Sequence, residues 1–245
     1  MIKNIQRRRA LVTGGSGGIG AAICERLAAD GHHVIVHANR GIEKAQSLVE
    51  QIVAAGGSAK VATFDITDRA ATAAALQALG EGGAIQVLVN NAGIHDDAVF
   101  PGMTGEQWDR VLDVSLNGFF NVTQPLTMPM MRTRWGRIVS VSSVAAVAGN
   151  RGQVNYSAAK GALHAASKSL ALELASRGVT VNVVAPGLIA TGMIKDSFDA
   201  DAVKRMVPMQ RLGQPAEVAH LVAFLASEQA AYISGQVISI NGAMI

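Results

Sequence analysis

Several features that would restrict the class of this protein are scarce or missing. Cys24 is the only cysteine among 245 residues, so no intrachain disulfide can form, and a lone thiol on an apolar helix is expected to be buried and unreactive. No apolar run approaches ~18 uninterrupted residues, and no apolar signal core follows the basic N-terminus MIKNIQRRRA. We therefore expect a soluble, cytoplasmic protein without a membrane span.

Charge excess and aromatic residues are also limited. The formal net charge of +3 is too small to indicate a nucleic-acid partner, although it suits an anionic cofactor or an acidic protein. Aromatic residues make up 4% of the chain and hydrophobic residues 49%, with alanine, valine and glycine abundant. This composition is typical of tightly packed parallel β/α layers rather than of an aromatic-rich β-sandwich.

Short β-type segments alternate with segments of helical length and period, without an internal repeat or a linker. The seven predicted strands are ALVT (10–13), HVIV (33–36), KVATF (60–64), QVLVN (86–90), RIVSVS (137–142), VTVNVV (179–184) and QVISI (236–240). This alternation predicts a single α/β domain over 1–245, built as a doubly wound parallel sheet with helices on both faces. A closed (β/α)8 barrel is the alternative, but it needs an eighth unit.

A glycine-rich segment, GGSGGIG (14–20), lies between the first strand and a helix. Glycines at this junction allow a tight turn and let a pyrophosphate approach the backbone at the helix N-terminus. A flexible loop is the alternative, but the strand before and the helix after favour a dinucleotide site. The predicted contacts in this turn are Gly14, Ser16, Gly17, Gly18, Ile19 and Gly20.

The end of the second strand, HVIVHANR, has no carboxylate. An acidic residue in this region would bind the 2′-hydroxyl of NAD. Asn39 and Arg40 stand there instead, and a guanidinium would pair with an adenosine 2′-phosphate. The sequence therefore favours NADPH/NADP+ over NADH, unless Arg40 is an ordinary solvated arginine.

Polar residues also follow the third and fourth strands. Asp65 is placed to contact the adenine amino group and Ile66 to pack on the ring, although Asp65 has a helix cap as its alternative role and Asp68 is the better cap candidate. The turn after the fourth strand, with Asn91, Ala92 and Gly93, would leave room for a ribose. A simple β-to-α turn is the alternative for that segment.

Tyr156 and Lys160 are four residues apart in YSAAK, on one face of a predicted helix. A nearby ammonium favours the phenolate and should lower the pKa of Tyr156. Ser143 ends the fifth strand, in the same crevice as the start of this helix. Ser143 would hydrogen-bond a substrate carbonyl, Tyr156 would protonate it, and Lys160 would tune Tyr156 and bind the nicotinamide ribose. The bare Tyr–Lys spacing alone would indicate only a surface pair.

Together, TGGSGGIG, NNAG, Ser143, YSAAK and the PG of APGLIAT resemble the short-chain dehydrogenase/reductase family in order and spacing, over essentially the whole chain. The resemblance implies a Rossmann fold, a nicotinamide cofactor and Ser143, Tyr156 and Lys160 as catalytic residues. It also implies a nicotinamide site lined by Pro186, Gly187, Ile189 and Thr191.

Two positions depart from the family pattern. Ser115 stands in VSLNG where the family usually has a catalytic asparagine. Asn117 is about 200° further round an ideal helix, so we assign the fourth catalytic position to Ser115 and expect an adapted proton relay, partly through its main-chain carbonyl. Gly17 stands where many NADPH-dependent members have a basic residue.

Within the family, VSSVAAVAGNRGQVNYSAAKGAL and the ending YISGQVISINGAM are most similar to reductases acting on acyl carrier protein. The resemblance implies NADPH-dependent reduction of 3-oxoacyl thioesters to 3-hydroxyacyl thioesters, in fatty acid or polyketide/polyene synthesis. One alternative is a dehydrogenase of another small alcohol, ketone or acyl-CoA. Another is a catalytically silent NADP-binding partner subunit.

Arg134 and Arg177 match positions that in these reductases contact the acidic carrier protein, with solvated surface arginines as the alternative. The resemblance also implies a homotetramer that pairs long helices, here about 104–131 and 153–176.

The segment 192–211 is interpreted as a mobile lid, with Met193, Met206 and Met209 forming an adaptable apolar wall or packing in the core. We interpret His95, Asp96 and Asp97 as a solvated loop, and we predict no metal site.

Overall fold

The computed structural model describes residues 7–192 and 199–245. Its strands are β1 (Arg9–Val12), β2 (His33–Ala38), β3 (Ser58–Thr63), β4 (Ile85–Asn90), β5 (Gly136–Val141), β6 (Val179–Pro186) and β7 (Val237–Ile240). Its α-helices are α1 (Gly18–Ala29), α2 (Ile42–Ala54), α3 (Arg69–Gly80), α4 (Gly105–Leu112), α5 (Gly118–Thr133), α6 (Ala145–Ala148), α7 (Val154–Leu174), α8 (Ala200–Met206) and α9 (Pro215–Ala226).

The strands form one parallel sheet in the order β3-β2-β1-β4-β5-β6-β7. This open, doubly wound arrangement confirms the predicted Rossmann-type fold and excludes the closed barrel. The order in which successive strands are added to the sheet reverses between β1 and β4. Ligands of such sheets bind beyond the carboxyl ends of the strands at that point.

Two apolar clusters hold the helices on the faces of the sheet. Residues of α1, α2 and α9 pack on one face, and residues of α3, α5 and the end of α7 pack on the other. Every residue of β5 and β6 is buried, as expected for parallel strands that have helices on both faces of the sheet. Each Val, Leu or Ile withdrawn from water in this way contributes about 1.5–3 kcal/mol.

The first predicted long helix is interrupted. Thr104 caps α4 in a capping box with Gln107, and a π-helical turn, Asp113–Asn117, joins α4 to α5. Pro125 and Pro129 both lie inside α5. The extent of the predicted helix is therefore nearly correct, but its hydrogen-bond register changes at the turn that contains Ser115.

The second predicted long helix is α7, and a short 3₁₀ turn, Ala175–Arg177, follows it. Asp68 accepts a hydrogen bond from the Ala71 amide at the start of α3, as predicted for a helix cap. Across residues 7–192 and 199–245, none of the helices combines the length and apolar character that a bilayer crossing requires.

Candidate active site

The glycine-rich turn is tightly packed against itself. Gly14 has φ +62°, and a Cβ on Gly20 would lie 2.2 Å from the Gly14 carbonyl oxygen. Only glycine can occupy both places without moving the backbone. Gly17 is the N-cap of α1 and is exposed, and Ser16 is half-buried beside it. The first turn of α1 thus faces solvent with its free amides, as pyrophosphate binding requires.

Thr13 anchors the turn after β4 to the glycine-rich turn. Its Oγ1 accepts hydrogen bonds from the amides of Asn91 and Ala92, each 3.0 Å long. The Asn91 Nδ2 donates to the carbonyls of Thr13 and Gly14, at 3.0 and 3.1 Å. Thr13 is absent from the predicted site residues, although its position directly before the glycines is a signal for it.

The predicted nicotinamide loop comes close to the glycine-rich turn. A Cβ on Gly18 would lie 2.9 Å from Thr191 Cγ2, and one on Gly187 would lie 2.8 Å from the Asn241 Cα. Pro186 ends β6. Ile189 is 3% exposed and packs into the apolar cluster beneath α1, α2 and α9. Its side chain therefore lies behind the site and offers little surface to a bound ligand. Gly18 lets the loop and the turn approach each other closely, as the predicted dinucleotide site requires.

Polar groups collect where the adenosine half would bind. Asp65 Oδ1 accepts from the Thr67 amide and hydroxyl, at 2.9 and 2.8 Å. These two bonds lower the pKa of Asp65, and the Asn39 side chain and the Arg40 charge lower it further. Asn39 and Arg40 are exposed. The structure therefore brings these three predicted residues together.

The position of Ile66 corrects its predicted role. Its side chain is 5% exposed, and a Cβ on Gly118 would lie only 2.6 Å from Ile66 Cδ1. Ile66 packs beneath α5, so it offers little side-chain surface to an adenine ring. Its backbone carbonyl accepts from Asn121 Nδ2 at 2.9 Å, which ties this loop to α5.

Tyr156 and Ser143 meet in the crevice. Tyr156 lies in the first turn of α7, and Ser143 lies just beyond β5. A hydrogen bond from the Ser143 side chain lowers the pKa of Tyr156, but burial, the largest effect, and the charge of Asp97 raise it. The predicted lowering of this pKa by Lys160 is wrong for this structure. The phenol is therefore held in its protonated form, which is the form that can give a proton to a carbonyl.

Lys160 is fully enclosed and directed toward the end of β5. Its Nζ donates to the Val141 carbonyl at 3.0 Å and lies 5.9 Å from the centre of the Tyr156 ring. Burial lowers the pKa of Lys160 to about 8. Ser142 Oγ donates to the backbone carbonyl of Lys160 at 3.0 Å and contacts His164 Nε2 at 2.7 Å. The end of β5 thus holds both the side chain and the backbone of Lys160.

Ser115 lies beside Lys160. Ser115 is 3% exposed, and its Oγ has no hydrogen-bond partner among the described residues. A Cβ on Gly93 would lie 2.8 Å from Lys160 Nζ and 3.5 Å from Ser115 Oγ, so both polar groups converge on the Gly93 backbone. Asn117 is exposed and donates to Asp113 at 2.6 Å. This exposure agrees with the assignment of the fourth position to Ser115 rather than to Asn117.

Arg134 and Arg177 also lie close together, but not in the crevice. Arg134 Nη2 donates to the Ser176 carbonyl at 3.3 Å, and both arginines are exposed. They precede β5 and β6, whereas Ser143 and Tyr156 lie beyond the carboxyl end of β5. The two arginines are therefore at the opposite edge of the sheet from the catalytic candidates.

Two further predicted segments lie around the crevice. Asp96 is bonded to Gln107 and Arg110, and His95 contacts Asp97 on the exposed loop after β4. Met206 and Met209 are 44% and 64% exposed, and Met193 lies outside the described residues. Met209 lines a cavity of about 390 Å³ with Leu188, Val207 and Asn241, among others.

The open sheet, the dinucleotide turn and the Ser143–Tyr156–Lys160 group place the protein in the class of nicotinamide-dependent oxidoreductases. The family model described as short chain dehydrogenase matches residues 8–202, and the chain belongs to that family.

Curated relatives cover nearly the whole chain. The chain is 48% identical over 236 residues to the 3-oxoacyl-[acyl-carrier-protein] reductase FabG of Aggregatibacter actinomycetemcomitans, and this match covers 96% of the chain and 98% of that protein. It is 44% identical over 244 residues to nodulation protein G of a Rhizobium strain, covering 97% and 96%. It is 42% identical over 241 residues to an acetoacetyl-CoA reductase of Cupriavidus necator, covering 97% and 98%.

Proposed function

We propose that the protein reduces 3-oxoacyl thioesters on acyl carrier protein to 3-hydroxyacyl thioesters, with NADPH as the reductant. The single observation that carries the proposal is the grouping of half-buried Ser143 and Tyr156 with buried Lys160 at the carboxyl end of β5, next to a dinucleotide turn. The 48% identity to a reductase of that substrate class supports the choice of substrate.

The chemistry is a two-electron reduction of a ketone. When bound, the cofactor supplies a hydride to the carbonyl carbon. The Ser143 hydroxyl donates a hydrogen bond to the carbonyl oxygen, and the Tyr156 phenol transfers its proton to that oxygen as the C–H bond forms. Because burial raises the pKa of Tyr156, the phenol is protonated at neutral pH before each turnover.

Tyr156 must recover a proton after each turnover. Lys160 is the nearest buried cation, and the Ser115 hydroxyl lies on the same side of Gly93. Ser115 Oγ is buried without a partner among the described residues, so a water held between it and Lys160 would satisfy both groups. We assign Ser115 the role of holding that water.

The preference for NADPH rests on Asn39 and Arg40. Both are exposed at the end of β2, next to the Asp65 carboxylate. An adenosine 2′-phosphate would pair with the Arg40 guanidinium. Arg40→Ala should therefore weaken binding of NADPH and leave binding of NADH nearly unchanged. Equal losses for both cofactors in calorimetric titrations would contradict this assignment.

Arg134 and Arg177 are the proposed docking residues for the carrier. The six residues of β5 span ~20 Å, so a carrier docked on these arginines is a full strand length from Tyr156 of the same chain. We propose that the docked carrier serves the active site of a neighbouring copy in a homotetramer. The exposed apolar side chains of Phe120 and Met128 on α5 and Leu172 on α7 support pairing of copies along these helices.

Mixed assemblies test this arrangement. One chain carries Tyr156→Phe and the other carries Arg134→Glu with Arg177→Glu. Co-expressed chains should regain carrier-dependent turnover, because an intact Tyr156 then lies next to intact arginines of another copy. If the mixture turns over the carrier substrate no faster than the arginine variant alone, docking and chemistry belong to one chain.

The first experiment is NADPH oxidation followed at 340 nm with acetoacetyl-carrier protein, and with acetoacetyl-CoA in parallel. Turnover on the carrier substrate that is lost in Tyr156→Phe supports the proposal. Equal or faster turnover of the CoA thioester would favour an acyl-CoA reductase, the activity named for the Cupriavidus relative. NADPH binding without turnover on either thioester would contradict the proposed substrate class.

A further inference from the structure

His37 is a fully buried polar residue on β2 that takes no part in the chemistry above. It is 1% exposed, and both of its ring nitrogens have partners. The Gly14 amide donates to Nδ1 at 3.2 Å, and Nε2 lies 2.9 Å from the Phe64 carbonyl. An amide N–H only donates and a carbonyl only accepts. The ring must therefore be neutral, with its proton on Nε2.

This ring joins three loops at the carboxyl edge of the sheet. The imidazole ring packs at a tilt against Phe64, with 4.2 Å between ring centres. The backbone carbonyl of His37 accepts a hydrogen bond from the Gly15 amide at 2.8 Å. The Gly14 residue is thus held on both sides, its N–H by His37 and its C=O by Asn91. Gly14 has φ +62°, a conformation that these contacts fix.

We propose that His37 is a positioning residue for the cofactor, which holds the Gly14 amide so that the dinucleotide turn is formed before the pyrophosphate arrives. The proposal rests on the nicotinamide-cofactor function of this site, not on the identity of the thioester. His37 lies behind the turn and acts through Gly14 rather than by touching the cofactor. Its loss should therefore change cofactor affinity and leave the chemical step nearly unchanged.

Three substitutions separate the two ring contacts. The Oδ1 of His37→Asn can replace Nδ1 as acceptor for Gly14, whereas the Nε2 of His37→Gln can replace only the donor to Phe64. His37→Leu removes both. We expect Kd for NADPH to rise about tenfold or more in His37→Leu and His37→Gln, because the buried Gly14 amide then loses its acceptor. The rise should be less than about threefold in His37→Asn, which keeps an acceptor for that amide.

The binding measurement is a calorimetric titration of the cofactor-free protein, with thermal unfolding to confirm that each variant is folded. His33→Gln is the matched control, because His33 lies on the same strand and contacts Ser58 Oγ, away from the turn. If His37→Gln binds NADPH as tightly as wild type while folded, the proposal is wrong. The Asn and Gln variants keep the test decisive even if His37→Leu does not fold.

A spectroscopic measurement addresses the tautomer directly. Two-bond ¹H–¹⁵N NMR spectra of the cofactor-free protein should show His37 with a bare Nδ1 and a protonated Nε2. The opposite tautomer would overturn the proposal, because Nδ1–H cannot accept from Gly14. If wild type and the His37 variants bind NADPH with the predicted affinities but wild type reduces no thioester, only the proposed substrate is contradicted. The proposed role of His37 then still stands.

The pH dependence gives a second readout. Burial lowers the pKa of His37 below its ordinary value of 6.5, while the Phe64 carbonyl and Asp65 act in the opposite direction. Arg40 lies near Asp65, and the buried thiol of Cys24 lies behind Gly15. Protonation of Nδ1 would break the bond to Gly14, so affinity should fall as the pH decreases below 6.5.

NADH is the appropriate ligand for this titration, because it has no 2′-phosphate that titrates in the same range. The fall in affinity should be weaker in His37→Asn, whose amide does not titrate. Identical pH profiles for wild type and His37→Asn would contradict the proposal.

Discussion

The carboxyl and amino edges of the same sheet differ in charge and in exposure. At the carboxyl edge, Thr13, Asn91 and Lys160 are bonded to backbone groups inside the crevice. At the amino edge, Arg134 and Arg177 are exposed. Helices begin at the carboxyl edge and end at the amino edge, so the first favours anions and the second favours cations. The topology of the sheet therefore separates the proposed reaction site from the proposed docking surface.

Cation–π contacts and hydrogen bonds connect several side chains at the amino edge. The guanidinium of Arg8 lies 3.6 Å from the centre of the Trp135 ring and that of Arg137 lies 4.2 Å from it. Glu228 accepts from Trp135 Nε1 at 3.0 Å and from both arginines. Arg137 is 2% exposed. These contacts stabilise the amino edge, so changes there should leave the chemical step intact.

The largest effect should follow from removing the proton donor at the carboxyl edge. Tyr156→Phe is expected to lower kcat about 10²–10⁴-fold, as for other general acids, with both carrier and CoA thioesters. Direct titration should find NADPH binding within about threefold of wild type. A variant that retains wild-type kcat would show that another group donates the proton.

The next effect should come from the backbone of the dinucleotide turn. Gly20→Ala places a Cβ 2.2 Å from the Gly14 carbonyl oxygen, whereas Gly17→Ala meets nothing within 4 Å. We expect a loss of NADPH affinity of at least about tenfold for Gly20→Ala and less for its control, since backbone must move only in the former. Calorimetric titration of both variants measures the difference. Equal affinities would mean that the turn adapts freely.

Charge reversal at the amino edge should have a smaller and more selective effect. Arg134→Glu with Arg177→Glu is expected to reduce kcat/KM for the carrier substrate about tenfold, through slower association, and to leave acetoacetyl-CoA turnover unchanged. Parallel assays of the two thioesters at low and high salt measure this selectivity. Equal losses on both substrates would break the separation between the two edges.

Ser115→Ala should lower kcat several-fold, about 3–10-fold, because the proposed relay water loses one partner. Asn117→Ala is the matched control, since Asn117 is exposed two positions away on the same turn. Steady-state rates and the solvent isotope effect on kcat measure the relay. If both variants behave as wild type, Ser115 has no part in proton return.

The smallest expected effect concerns stability. The pKa of Lys160 in the folded protein is about 8, against its ordinary value of 10.5, so between these two pH values the unfolded chain holds a proton that the folded chain has released. Relative to Lys160→Met, the free energy of unfolding of wild type should rise as the pH increases from about 8 toward 10.5. Urea unfolding of both proteins across that window measures it, and parallel curves would contradict the lowered pKa.

The fold and the chemical group were predictable because their signals are local. Seven apolar segments, the glycine spacing and the Tyr–Lys spacing on one helical face each depend on neighbours in the sequence. The rest depends on contacts between distant segments. Ile66 is buried because Gly118 leaves room for it, and the pKa of Tyr156 rises because the crevice encloses it. The role of His37 likewise appears only when β1, β2 and β3 are brought together.

The reactivity of the single cysteine can report on local opening of the structure around α1. Cys24 is fully buried behind the dinucleotide turn, where its Sγ lies 3.7 Å from the Gly15 carbonyl oxygen, and burial raises the pKa of its thiol. A thiol reagent can reach it only when α1 separates from the turn. The rate of labelling under native conditions therefore measures the opening free energy of the first βαβ unit, without the introduction of any probe.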